Sequence, residues 1–199
     1  MARHLFEIEM RSLFWICIAC IGIHSANAQV TGNQLADAAA SIENPNIQYV
    51  PDYVQLEYPM GDVPSTTGVC TDVVIRAFRL IDIDLQKEVH EDMKSDFYVY
   101  PQSWGLIGPD KNIDHRRVPN LMTYFERRGW EQPISDDATT YLPGDIVAWD
   151  LGGGITHIGL VVNNQSTEGY YLIIHNIGGG QVIEDILFSY KIIGHYRMR

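Results

Sequence analysis

Cys70 is the residue of this sequence best placed to do chemistry. It follows Gly68 and Val69 and opens a stretch in which Cys70, Val73, Val74, Ala77, Phe78 and Ile81 recur at helical spacing. A thiol in the first turn of a helix faces unsatisfied backbone N–H groups and the positive end of the helix dipole. Both favour the thiolate, which is the nucleophilic form. Gly68 lets another backbone approach closely, and the first-turn N–H groups are positioned to hold an oxyanion. Asp72, two residues on, suits a helix N-terminus but opposes a nearby thiolate by its charge.

A cysteine nucleophile needs a base, and the base needs an orienting partner. His157 lies at the start of the alternating run Thr156–Val162, and His175 near the end of the run Tyr170–Asn176. A hairpin with Val162 opposite Tyr170 sets His157 across from His175 on one face, with Gly159 leaving room beside them. A slip of one residue brings Asn176 to that face instead, and Asn is also a competent orienter. Each residue has a plainer use as well. A helix-start cysteine often serves as a small core residue, and a strand histidine as a hydrogen-bonded structural one. The two histidines also suit a metal ion, with Asp145 or Asp150 nearby.

These residues need elements to hold them. Residues 32–43 predict a short Ala-rich helix, and the prolines and glycines of residues 44–68 predict an ordered loop. The helix from Cys70 runs to about Ile81. Residues 82–118 carry no clear period. Pro119 and Asn120 open a helix that runs to about Arg128 and is closed by Gly129. Strands are predicted over 145–151, 156–162, 170–176 and 192–198, with turns at Gly152–Gly154 and Asn163–Ser166. Helices first and antiparallel strands after make an α+β arrangement.

The N-terminus reads as a secretory signal, residues 1–28. Arg3, His4 and Arg11 precede or border an apolar run from Leu13 to Ile23, followed by the small-x-small site Ala26-Asn27-Ala28. An uncleaved anchor and a lipoprotein processed at Cys20 are the rival readings; Cys17 stands where a lipoprotein site favours Leu. Residues 29–199 then form a single domain that keeps the chain's net charge of −11. Such an acidic chain is a poor match for nucleic acid or for an anionic membrane surface. After signal cleavage no stable membrane insertion is expected. Two of the three cysteines leave with the signal, so Cys70 has no internal disulfide partner in an oxidising compartment.

The stretch Gly68-Val69-Cys70-Thr71-Asp72, the block Pro143-Gly144-Asp145-Ile146-Val147 and the pair His157 and His175 resemble the NlpC-type papain-like cysteine hydrolases. More narrowly, Gly68–Ala77, Asn112–Leu121, His175–Gly180 and Gly194–Arg197 resemble a bacterial domain-of-unknown-function family within that superfamily. The likeness runs from about Tyr49 to Arg197. It implies a papain-like α+β fold with a helix-start cysteine packed on an antiparallel sheet. It also implies Cys70 as nucleophile, His157 as base and His175 as orienter. Two departures stand out. The Cys70-to-His157 span is longer than the superfamily's, and Val-Cys-Thr-Asp replaces its usual Asp-Cys-Ser-Gly start.

The excess span holds Asp114-His115-Arg116-Arg117. Arg116 and Arg117, with Asn176, are candidate substrate-binding groups, because an arginine fork suits the carboxylates of cell-wall stem peptides. The alternative is a structural knot of Arg–Asp pairs. Trp104 and the tyrosines near it would line a groove or pack at its rim. The expected function is hydrolysis of an amide bond, in a cell-wall peptide or a similar amide substrate, with no metal or other cofactor. The competing readings are a non-catalytic envelope binding or scaffold protein that retains the fold, and a metal-dependent enzyme using both histidines. No oligomeric state is read from the sequence.

Overall fold

The computed structural model of the protein describes residues 32–199. The expected signal segment, with Cys17 and Cys20, lies outside the described residues. Among those described, no helix is long and apolar enough to cross a membrane.

Helix α1 covers residues 32–41. The loop that follows contains two short strands, β1 (Gln48–Tyr49) and β2 (Thr67–Gly68), which pair in parallel. Then come α2 (Cys70–Arg79), α3 (Leu85–Ser95) and α4 (Val118–Arg127). Strands β3 (Ile146–Asp150), β4 (Thr156–Gln165), β5 (Tyr171–His175), β6 (Val182–Glu184) and β7 (Lys191–Tyr196) form one sheet in the order β6-β5-β4-β3-β7. All its pairings are antiparallel. The architecture is the expected α+β arrangement, with a helix-start cysteine packed on an antiparallel sheet.

Helix α3 occupies the segment that carried no clear period. Leu85, Val89 and Met93 nevertheless fall four residues apart, and all three are buried. Asp84 caps the helix by accepting the N–H of Gln86. Helix α2 has Val69 at its N-cap, where no side chain can accept. Asp72 instead reaches back to accept the Val69 N–H at 2.7 Å, which is one half of a capping box.

The sheet separates two apolar clusters. On the helix side, Val73, Val74, Ala77 and Phe78 of α2 pack with Ile146, Ala148, Ile158, Leu160 and Ile174. Phe78, Phe125 and Trp130 stack beneath them, with centroids 5.4–6.3 Å apart. On the other face, Val147, Trp149, Val161 and Ile173 meet Tyr141 and Leu187. Each fully buried side chain of this size contributes about 1.5–3 kcal/mol. This seats α2, and with it Cys70, against the middle of the sheet.

The β4–β5 hairpin differs from expectation in one respect. Strand β4 runs on to Gln165, and the turn spans Ser166–Gly169, where the Ser166 N–H donates to the Tyr170 carbonyl at 2.8 Å. Gln165 pairs with Tyr171, and after an irregularity in β4 Val161 pairs with Ile173 and Leu160 with Ile174. This register lies two residues from the expected one. An even slip keeps every side chain on its own face, so His157 and His175 remain on one face as diagonal neighbours.

Candidate functional site

His157 is set opposite Trp149 by the β3–β4 ladder, with the two rings 5.8 Å apart. His175 ends β5. The His157 Nε2 and His175 Nδ1 atoms are 3.0 Å apart, and the rings are nearly perpendicular. Gly159 makes the close approach possible. A Cβ at that position would lie 2.7 Å from Ile173 Cγ2, 2.8 Å from the Ile174 carbonyl oxygen and 3.2 Å from His175 Cβ. Gly159→Val should therefore cost about 1–3 kcal/mol of stability, as overpacking does, and part the two imidazoles. A thermal melt and the histidine ring NMR signals would show it.

The chain of contacts continues to a residue that the sequence reading missed. His175 Nε2 lies 3.0 Å from Glu184 Oε2, on β6. The β5–β6 register places Glu184 opposite Ile173, two residues from His175. Strand β6 is only three residues long, with a single apolar–apolar–polar step, too little pattern to set it beside β5 from sequence.

The chain fixes tautomers. A carboxylate can only accept, so His175 Nε2 carries a proton and donates it to Glu184. In neutral His175, Nδ1 is then an acceptor, and His157 Nε2 must donate to it. That leaves the His157 Nδ1 lone pair free, which is the atom a general base requires. Both rings are neutral at pH 7. Burial is the main cause, lowering His157 to about 3 with help from the neighbouring His175, and lowering His175 against the opposing pull of Glu184.

Cys70 opens α2 on the other side of this strand and is 5 % exposed. Its sulfur rests against the backbone N–H of Ile158, the residue after His157, and against the N–H groups of Thr71 and Cys70 itself. Among the described residues, the sulfur makes no direct hydrogen bond to His157. Burial pushes the thiol up to about 12, and the Asp72 charge adds to this, while the three amides favour the thiolate. The helix-start position thus supplies the expected donors, but desolvation outweighs them, and the resting group is a thiol. Alkylation of Cys70 by iodoacetamide should accordingly rise about tenfold per pH unit from pH about 7 to 9, because the thiolate fraction grows in that proportion below the pKa. A rate already flat at neutral pH would instead show a preformed thiolate–imidazolium pair.

Tyr49 also faces this end of α2, and the sequence reading did not single it out. Burial raises its phenol most, followed by the charges of Cys70 and Asp72, and Arg116 pulls it down. Its place follows from β1, where Tyr49 pairs with Gly68.

The candidate substrate-binding residues divide. Arg116 is drawn inside: its Nε and Nη2 donate to the two Asp72 carboxylate oxygens at 3.0 and 3.1 Å, and its Nη1 to the Asp52 carbonyl. A buried charge must be paired, so this fork is closed and the structural-knot reading of Arg116 applies. Asn176 is fully buried as well. It donates to the Gly68 carbonyl at 3.4 Å and accepts the Gly178 N–H, bracing the end of β5 against the approach to Cys70. Neither offers a free polar group to a groove. Arg117 differs: its guanidinium stands over the Trp104 ring at 4.2 Å and, among the described residues, has no ion-pair partner. Of the tyrosines near Trp104, Tyr100 is buried and donates to Asp92, while Tyr98 is exposed.

Asp145 and Asp150 do not join the histidines. Asp145 is fully buried at the head of β3. It accepts from Arg197 at 2.6 Å, from the Leu142 N–H at 2.8 Å, and pairs with His195 Nε2 at 2.7 Å. Asp150 holds the turn by accepting the Gly152 N–H. Among the described residues, no three or more His, Cys, Asp or Glu side chains are grouped to hold a metal ion.

The chain is 52 % identical over 167 residues to "Uncharacterized protein YijF" of Escherichia coli (strain K12), covering 84 % of this chain and 82 % of that protein. Its fold is similar to the crystal structure of an N-acetylmuramoyl-L-alanine amidase from Bacteroides uniformis. That match has a TM-score of 0.52 at 13 % identity and covers 84 % of this chain and 98 % of that one. NlpC1 of Trichomonas vaginalis is a more distant likeness, with a TM-score of 0.43, 15 % identity, and 84 % and 44 % of the two chains covered. A family model described as "Domain of unknown function (DUF1287)" matches residues 36–198, and the chain belongs to that family.

Proposed function

We propose that the protein is an exported cysteine hydrolase that cleaves an amide bond in cell-wall peptides. The observation that carries this reading is the hydrogen-bonded chain from Glu184 through His175 to His157, ending beside the strand amide against which the Cys70 sulfur lies. A purely structural pair of histidines has no need of a carboxylate that fixes both tautomers. The helix-start cysteine, the basic nitrogen and the amides around the sulfur are the three parts that acyl transfer requires. The similar fold of a protein named as an N-acetylmuramoyl-L-alanine amidase supports the substrate class. The export signal read at residues 1–28 would deliver the enzyme to that substrate.

In the proposed reaction the Cys70 proton passes to His157 Nδ1 as the sulfur attacks the amide carbonyl. Catalytic hydrogen bonds that are loose in the free enzyme commonly tighten once substrate is bound. The N–H groups of the first turn of α2 hold the developing oxyanion. His175 and Glu184 stabilise the imidazolium that forms on His157. That imidazolium protonates the leaving amine as the C–N bond breaks, leaving a thioester on Cys70. Water, deprotonated by His157, then attacks the thioester, releasing the carboxylic acid and restoring the thiol. The protein's own residues carry every step.

Digestion of purified cell wall, with products identified by mass, tests the reaction class. New free amine and carboxyl ends within the peptide, or between peptide and sugar, are expected. Cleavage confined to the glycan, or no cleavage at all, would sink the proposal.

The burial of Cys70 favours a second reading, a non-catalytic envelope binding protein that retains the fold. In that case folded Cys70 should resist alkylation even at pH about 9, and cell wall should bind without being cut.

A further inference from the structure

We propose that Arg116 is a positioning residue for Cys70: by closing its fork on Asp72 it cancels the one carboxylate at the nucleophile's end of α2. The inference rests on Cys70 being the reacting group, but its test reads the sulfur directly and needs no hydrolysis.

Asp72 lies one turn into α2, with both its oxygens engaged by Arg116 and one of them also accepting the Val69 N–H. The two charged side chains are 3 % and 2 % exposed, so water screens neither. The Arg116 backbone is tied to the same place, since its carbonyl accepts the Thr71 hydroxyl at 3.2 Å. The pair is thus fixed to residues 69, 71 and 72, around the nucleophile.

The groups facing Cys70 are few. On its own helix there is Asp72. Strand β1 contributes Tyr49, the turn 114–116 contributes Arg116 on Asp72, and β4 contributes the Ile158 amide, with His157 preceding it in the strand. Arg76, one turn further along α2, donates to Asp62 and to the Thr67 carbonyl. Among the described residues, Asp72 is therefore the only anion of the groups facing the sulfur, and its charge resists thiolate formation. Left alone, it would oppose the helix dipole that favours the thiolate. Paired with Arg116, it keeps its structural task at the N-cap and loses most of its field at the sulfur.

The test is the rate of iodoacetamide alkylation of the full-length protein over pH about 7 to 10, with folding checked by circular dichroism. If charge is what Arg116 supplies, the rates at pH about 8 fall in a set order. D72N, which leaves Arg116 unopposed, is faster than wild type. R116Q is slower by about tenfold, since an unopposed charge at this range moves a thiol by a unit or more. The double variant D72N/R116Q lies within about threefold of wild type. R116K keeps the charge and the wild-type rate even though its melting temperature falls. A merely structural bracket predicts that D72N and R116Q shift the rate in the same direction, and that result overturns the proposal. So does equality of all the rates. Where R116Q fails to fold, D72N against the double variant still decides: equal rates overturn the inference.

Discussion

Replacing His157 with alanine should lower amide hydrolysis by about a thousandfold or more at temperatures where the variant is folded. Losses of that size follow when a base that works as a unit with its nucleophile is removed. Without the imidazole, nothing takes the thiol proton and nothing protonates the leaving amine. The fold should persist, because His157 sits at the start of β4 and the ladder to β3 runs through backbone groups. The stability cost is about 1–3 kcal/mol, mostly from the His175 Nδ1 acceptor left buried without its donor. Circular dichroism and a melt measured beside the activity separate the two effects. A variant as active as wild type would remove His157 from the mechanism.

The largest effect on stability is expected at Asp145. It is fully buried and takes hydrogen bonds from Arg197 and the Leu142 amide, with His195 as a third partner. His195 is itself buried, its Nδ1 facing the Pro133 carbonyl and its ring stacked 4.2 Å from Tyr141. Removing one member of a buried charge network leaves the others desolvated and unpaired. Asp145→Ala should therefore cost about 3–5 kcal/mol. For a domain of this size that lowers the melting temperature by roughly 6–20 °C. Thermal unfolding followed by circular dichroism measures it. Asp145→Asn should recover part of the loss, since it keeps an acceptor for the Leu142 amide. A melting temperature unchanged in Asp145→Ala would show that the C-terminal strand is held by its ladder alone.

Asp145 also shows why some of this protein was legible in its sequence and some was not. The Pro143–Val147 and Gly194–Arg197 blocks stand out as motifs, yet nothing in either says that they touch. That contact depends on β7 pairing with β3 at the far edge of the sheet, a long-range choice that local pattern does not encode. Helix α2 was legible because its apolar residues keep a 3.6-residue period over a full face. Helix α3 carried a thinner signal, three buried residues spaced by four within a charged segment.

The hairpin lies between these cases. Alternation in β4 and β5 placed His157 and His175 on one face, and that survived a two-residue error in register because the error was even. The error came from treating Asn163–Ser166 as the turn. Asn163–Gln165 instead extend β4, and Ser166–Gly169 closes the hairpin. Glu184 was out of reach, since its role depends on the register of a third, very short strand. For Arg116 the sequence leaves a substrate clamp and a structural knot of Arg–Asp pairs both open. Its destination inside, on Asp72, is a contact across 44 positions that charge and spacing do not predict.

The central claim is that Cys70 is the attacking group, and one side-by-side digestion tests it most directly. Purified cell wall is incubated with equal amounts of wild-type protein and Cys70→Ala, and the soluble products are resolved by mass. The account predicts peptide fragments with newly split amide bonds from wild type. From the variant it predicts none above the protein-free control, although its melting curve stays close to wild type. Identical fragments from both proteins would contradict it.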